Sequence, residues 1–383
     1  MVKVKNKAPE AIKKKTQTMK TQDRSKAVID SLEADLKDFE FEIMSDTNDL
    51  SDVPYIIPFK SHALNFITGG ILGGKFIEVS GDSMVGKSYL LYELISSVQA
   101  MGGYALLQDG ERAFSKNIAL ANKISMNGTF AITKERIIEN LFPLMLKYIL
   151  SIRKKDKTAP ILIGLDSFPS LQTRDVMKGY EEGADPKGYA AMQKNLKFSQ
   201  SIEKFVGDLD TYGATLILIN QTRTKKGVVF GNPTYTLGEE VIKFWCTQRI
   251  RGRTAKKLNK KVHSTVKKEI EMQVGIRAEW HAIKNRHVAP FQKAMVQTLF
   301  SKGIDPFKGV DELLLNHNRI SIETIRENKR AAPRYTSIET GAVYATISDL
   351  IDAEPKIIQP IMVGEIDSDD LVEEAIEDTE GAE

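Results

Sequence analysis

One cysteine, Cys246, stands in 383 residues, so no disulfide can form within the chain, and the five histidines lie too far apart in sequence to suggest a zinc site. Apolar runs long enough to span a bilayer are missing, and the amino terminus carries lysines but lacks the hydrophobic stretch of a secretory signal. These absences lead to the expectation of a reducing, cytoplasmic setting with no membrane contact. Basic residues are missing after Lys356, whereas residues 1–26 carry lysine repeatedly, so a net charge of +3 conceals strong segregation. The closing stretch, Glu365 to Glu383, is dense in carboxylates. It reads equally as a tail that repels nucleic acid or covers a basic surface and as a solubilising extension.

What is present points to one large core with extensions, since 42% hydrophobic and 27% charged residues are enough to bury a sizeable interior. Residues 1–54 read as a basic arm with an amphipathic helix over Ala27 to Leu36, where Val28, Ile29, Leu32 and Leu36 recur at helical spacing. From Tyr55 short apolar runs alternate with helical stretches, which predicts an α/β core over 55–304 with a mostly parallel sheet flanked by helices. Its strands are predicted at Lys75 to Ser80, Tyr104 to Gln108, Pro160 to Leu165 and Thr215 to Asn220, and helices at Tyr89 to Met101 and Gln193 to Tyr212. Residues 305–364 read as a small carboxyl-terminal module of unreadable fold, followed by the acidic tail over 365–383.

The chemistry should gather at the carboxyl ends of those strands. Directly after the first of them stand Gly81, Asp82, Ser83, Met84, Val85, Gly86, Lys87 and Ser88, which fit GxxxxGK[ST] between a strand and a helix. Glycines let the backbone curl so that successive N–H groups face phosphate oxygens at a helix amino terminus. The pattern implies ATP held through Lys87, magnesium held through the Ser88 hydroxyl, and Tyr89 as the next residue of the nucleotide site. Asp166 ends the run ILIGL and is placed to share the magnesium, although an acidic residue there could also cap a helix. Glu111, just past the strand YALLQ, is a candidate to activate a hydrolytic water. On the residues alone a surface loop would carry the same charges.

These motifs resemble a known family, the bacterial RecA proteins and their phage-encoded recombinase relatives, from about Ile57 to Ile304. Asp109-Gly-Glu111-Arg-Ala113 resembles the family's Asp-Ala-Glu-His-Ala, which implies that Glu111 activates the water. Ile219-Asn220-Gln221-Thr-Arg223, followed by Gly227 to Pro233, Gly238 and Lys243-Phe244, is the most specific match. It implies that Gln221 senses the γ-phosphate and that Lys225, Lys226, Phe230, Gly231 and Asn232 lie in a loop that contacts DNA. Glu182 to Met192, with Lys187, takes the position of the family's first DNA-binding loop. Ile283-Lys284-Asn285-Arg286 before Ala289-Pro-Phe291 resembles Val-Lys-Asn-Lys before Ala-Pro-Phe, which implies that Lys284 and Arg286 reach a neighbouring subunit's ATP. Ile118 stands where many relatives place an aromatic that stacks on adenine, so the base contact must come from elsewhere. Beyond Ser301 the sequence departs from the bacterial pattern, which favours a phage-type member, with a divergent bacterial one as the alternative.

The resemblance implies a DNA-dependent ATPase using ATP and magnesium, forming helical filaments on single-stranded DNA and pairing it with a duplex in recombination and repair. Implied partners are single- and double-stranded DNA, further copies of the chain, a single-stranded-DNA-binding protein and a recombination mediator. A hexameric helicase would share the P-loop and the acidic strand end, and a P-loop regulator that assembles without acting on DNA is a third alternative.

Overall fold

The computed structural model describes residues 53–182, 189–224, 234–262, 270–327 and 330–360. The lysine-rich arm with its expected helix, the acidic stretch after Glu365, and Lys187, Lys225, Lys226, Phe230, Gly231 and Asn232 lie outside the described residues.

A short antiparallel pair, β1 (Ile56–Ile57) and β2 (Ile71–Leu72), brackets helix α1 (His62–Thr68), which Ser61 caps by accepting from the Leu64 N–H. Strands and helices then alternate through β3 (Phe76–Gly81), α2 (Lys87–Ala100), β4 (Tyr104–Asp109), α3 (Lys116–Ala121), β5 (Phe130–Thr133), α4 (Ile138–Arg153) and β6 (Ile161–Asp166). After α5 (Arg174–Glu181), α6 (Tyr189–Thr211) and β7 (Ala214–Ile219) comes a small ribbon of β8 (Thr222–Thr224) and β9 (Thr234–Thr236). Helix α7 (Glu239–Trp245) leads into two long strands, β10 (Gln248–Val262) and β11 (Ile270–Lys284), then β12 (Lys293–Leu299) and β13 (Gly303–Ile304). The last described part holds α8 (Val310–Asn316), β14 (Ile320–Glu327), β15 (Arg330–Ser337), β16 (Val343–Tyr344) and α9 (Ile347–Ala353).

Nine of these strands form one sheet in the order β13-β12-β11-β10-β3-β7-β6-β4-β5. From β10 to β5 the neighbours run parallel, and β11, β12 and β13 extend the sheet antiparallel. The sheet is therefore mostly parallel and flanked by helices, as its apolar runs predict. Each of the four strands expected from sequence is present with its bounds within one residue of the expected ones, and the helix expected from Tyr89 begins at Lys87.

Side chains that alternate along each strand feed two cores, one on either face. Ile77, Val79, Ala105, Leu107, Leu162, Ile217 and Ile219 join one apolar cluster with Leu90, Leu91 and Leu94 of α2. Their neighbours Phe76, Leu106, Ile161, Ile163, Leu216 and Leu218 join the other, with Leu141 and Met145 of α4 and Phe198 and Ile202 of α6. Burial on both faces is why these strands read as unbroken apolar runs. The α2-side cluster also contains Leu313, Leu314, Ile320, Tyr335, Leu350 and Ile351, so the segment after Ile304 shares a core with the helix that carries Lys87. Among the described residues, no helix is long and apolar enough to cross a membrane.

Candidate active site

The parallel strands place their carboxyl ends side by side, and β3, β4, β6 and β7 each deliver part of one site. Gly81 closes β3 at φ 153°, where a Cβ would come within 2.4 Å of the Gly252 carbonyl oxygen, so only glycine lets the turn run this close to β10. Gly86 adopts φ 98° at the amino end of α2, and no side chain caps that helix. The first-turn N–H groups of a fourteen-residue helix are thus left facing the loop, the arrangement that receives phosphate oxygens.

Lys87 is buried, and its ammonium donates to the carbonyls of Gly81 at 3.0 Å and Asp82 at 2.7 Å. Burial lowers the Lys87 pKa, while the charges of Asp166, Asp82 and Glu111 act in the opposite sense. One residue on, the Ser88 hydroxyl donates to the Asp166 carboxylate at 2.7 Å across 78 positions of sequence. Burial pushes the Asp166 carboxyl up, and the neighbouring Glu111 and Asp109 charges add to it against the Ser88 hydrogen bond and Lys87. A hydroxyl and a carboxylate in contact, with further carboxylates crowding a half-buried one, fit a hard divalent cation such as magnesium.

Glu111 lies on the loop after β4, and Ser167 donates to its carboxylate at 2.5 Å. Asp109 shapes that loop by accepting from the N–H groups of Ala113 at 2.9 Å and Phe114 at 3.2 Å, and the Gly110 N–H donates to the Asp166 carbonyl at 2.9 Å. The sequence names Asp109 only as a neighbour of Glu111, and the structure gives it and Ser167 each a positioning contact.

Gln221 follows the buried Asn220, whose side-chain oxygen accepts the Gln221 N–H at 2.9 Å and whose amide donates to Glu78 at 3.0 Å and to the Leu237 carbonyl at 2.9 Å. Thr222, next in the chain, donates to Asp82 of the phosphate loop at 2.9 Å. The β8–β9 ribbon follows β7 and is tied at its base to the phosphate loop, with Thr222 paired to Thr236, and residues 225–233 join its two strands. Glu78 is wholly buried and bonds Arg249 at 2.6 Å, and Arg249 reaches Glu239 at 3.2 Å, which fixes the start of α7 behind the ribbon. No spacing in the sequence signals that pair, which lies 171 residues apart.

Lys284 and Arg286 stand elsewhere. In the sheet Lys284 is opposite Arg249, itself paired with Glu78, and with Arg286 it lines a cavity of about 780 Å³ beside Lys75 and Phe76 at the start of β3. From Phe76 to Gly81 β3 covers roughly 17 Å at about 3.3 Å per residue, more than a lysine side chain spans. The structure thus brings together Lys87, Ser88, Asp166, Glu111 and Gln221 and holds Lys284 and Arg286 apart from them. The Lys284 ammonium donates to the Lys243 carbonyl at 2.7 Å, Arg286 is exposed, and burial followed by Arg286 lowers the Lys284 pKa.

A family model described as the RecA N-terminal domain matches residues 56–305. Among similar proteins, the RecA protein of Thermosynechococcus vestitus is 30% identical over 239 residues, 62% of this chain and 61% of its own. That of Mycoplasma pneumoniae is 30% identical over 251 residues, 66% of this chain and 69% of its own. The chloroplastic DNA repair protein recA homolog 1 of Arabidopsis thaliana is 29% identical over 246 residues, 62% of this chain and 49% of its own. The match to the first of these relatives spans about three-fifths of its length.

Proposed function

Because this chain belongs to the RecA family, we propose that it is a DNA-dependent ATPase recombinase that polymerises on single-stranded DNA and pairs it with a duplex. The observation that carries this reading is the split between a phosphate site at one end of the sheet and a cationic pair at the other. A site whose trans-acting charges lie at the opposite end of their own subunit is completed when a second copy stacks on the first, and repeated stacking makes a filament.

In this reading Lys87 and the first-turn amides of α2 hold the phosphates of ATP, and Ser88 with Asp166 holds magnesium, which supplies charge neutralisation on those phosphates when bound. Glu111, oriented by Ser167, takes the proton of the attacking water. Lys284 and Arg286 of a neighbouring copy stabilise the charge that develops, as basic fingers do. Gln221 senses the terminal phosphate and acts on the ribbon whose loop holds Lys225, Lys226, Phe230, Gly231 and Asn232, so DNA affinity follows nucleotide state. Binding through phosphates and stacking is insensitive to sequence, because homology is read by base pairing.

The setting we propose is the cytoplasm of a bacterium or of an infected bacterial host, with a single-stranded-DNA-binding protein and a mediator as accessory partners. A phage-type identity rests on the sequence departure after Ser301. A ring-shaped helicase has no support in the family match. Electron microscopy with single-stranded DNA and ATP tests the filament, and a strand-exchange assay tests the pairing. Rings in the first, or no joint molecules in the second, would overturn the proposal.

A further inference from the structure

A nucleotide whose phosphates lie over Gly86, Lys87 and Ser88 must place its base beyond them, and a cavity of mixed lining adjoins this site. It encloses about 200 Å³. It is lined by the polar Ser88, Asp109, Glu111 and Asp166 together with Tyr89, Tyr92, Leu107, Ala113 and Ile118. The polar members suit a metal and phosphate oxygens. The others offer carbon surface to a base, and two of them are aromatic.

We infer that Tyr89 is the residue that stacks on the base of the bound nucleotide, with Ile118 forming part of the facing wall. Three observations favour Tyr89. It follows Ser88 in the first turn of α2, where side chains lean toward the helix amino terminus and therefore toward the phosphates. Its ring is already braced, since its hydroxyl donates to the Phe300 carbonyl at 3.1 Å and its plane lies 33° from that of Phe300 with centroids 6.2 Å apart. It also remains half-exposed, leaving surface for a ligand. Tyr92 is 5% exposed and packs edge-on against Phe114 with centroids 6.0 Å apart, so it has no free face to offer. Leu107 is buried and Ile118 has no π face. A braced aromatic loses little freedom when a planar base settles on it, which is what makes stacking effective and tolerant of base identity.

The inference rests on the phosphate-site reading and is separable from it. The probes are magnesium ATP and magnesium tripolyphosphate, which has the phosphates and no base, titrated calorimetrically into the wild-type protein and into Tyr89→Phe, Tyr89→Leu and Tyr89→Ala. Stacking on a base contributes about tenfold or more to affinity. Tyr89→Ala and Tyr89→Leu should therefore weaken ATP about tenfold or more while leaving tripolyphosphate within about twofold, and Tyr89→Phe should bind both as the wild type does. The leucine variant keeps apolar bulk if alanine does not fold. Equal loss for both probes would mean that Tyr89 only supports the helix, and unchanged ATP affinity would mean that the base lies elsewhere. Either result overturns the inference with the phosphate site intact. A wild-type protein that bound neither probe would remove the phosphate site and the inference together.

Discussion

Lys284 faces Arg249 across the sheet, and its ammonium is held by the Lys243 carbonyl at the end of β3 remote from Lys87. The double substitution Lys284→Ala, Arg286→Ala should leave folding and nucleotide binding intact and abolish DNA-stimulated hydrolysis. Mixed with a Lys87→Ala protein, it should regain part of that hydrolysis, because some interfaces then join an intact phosphate loop to intact fingers. A malachite-green phosphate assay on the mixture checks this. No recovery despite proven co-assembly would return both residues to a role within their own subunit.

Lys87→Ala removes the one ammonium held inside the phosphate loop. Loss of a preorganised charge costs about 3 kcal/mol or more in the barrier, so kcat should fall at least about a hundredfold. Strand exchange should fail with it. Full DNA-dependent turnover in this variant would end the P-loop assignment.

Glu111→Gln keeps the shape of the loop and an acceptor for the Ser167 hydroxyl while removing the base. ATP should bind as before, with hydrolysis slowed roughly a hundredfold or more. Filaments should outlast those of the wild type in electron micrographs. Unchanged turnover with failed binding would make Glu111 a structural residue.

Glu93 of α2 is buried, accepts the Lys60 N–H with one oxygen and has no partner for the other. Burial holds its carboxyl up to about 7, above the ordinary carboxylate range. The folded state therefore binds this proton more tightly than the unfolded chain does. Its stabilisation is fully present below the unfolded pKa and is lost as pH rises through about 7, a change of about 3 kcal/mol in all. Glu93→Gln cannot ionise, so it should gain stability relative to the wild type by about that amount between pH 5 and pH 8. Urea denaturation at the two pH values measures it, and a difference that ignores pH would mean that Glu93 does not titrate there.

The sequence disclosed the parallel strands because burial on both faces leaves apolar runs that nothing else explains, as in ATLILI over Ala214–Ile219. It disclosed the phosphate loop because one short segment holds all its parts. The long β10–β11 hairpin was not legible, since QRIRGRTAKKLNKKV is polar and lysine-rich and owes its strand conformation to pairing with β3 and β11 rather than to burial. Contacts between distant residues, such as Ser88 with Asp166 or Glu78 with Arg249, became visible only when the strands lay side by side. The module after Ile304 stayed unread because its apolar residues, Leu313, Leu314, Ile320 and Leu350, are spread over two helices and an edge-like sheet with no sustained period.

That those residues share a core with Leu90 and Leu94 bears on how interchangeable the parts of this chain are. A tail grafted from a relative would have to reproduce the surface against which α2 rests, and a chain cut at residue 304 would unroof the helix that presents Lys87 and Ser88. Unfolding of the described segment after Ile304 and loss of the phosphate cradle should then be one cooperative event, so exchange between relatives would succeed only when core and tail move together.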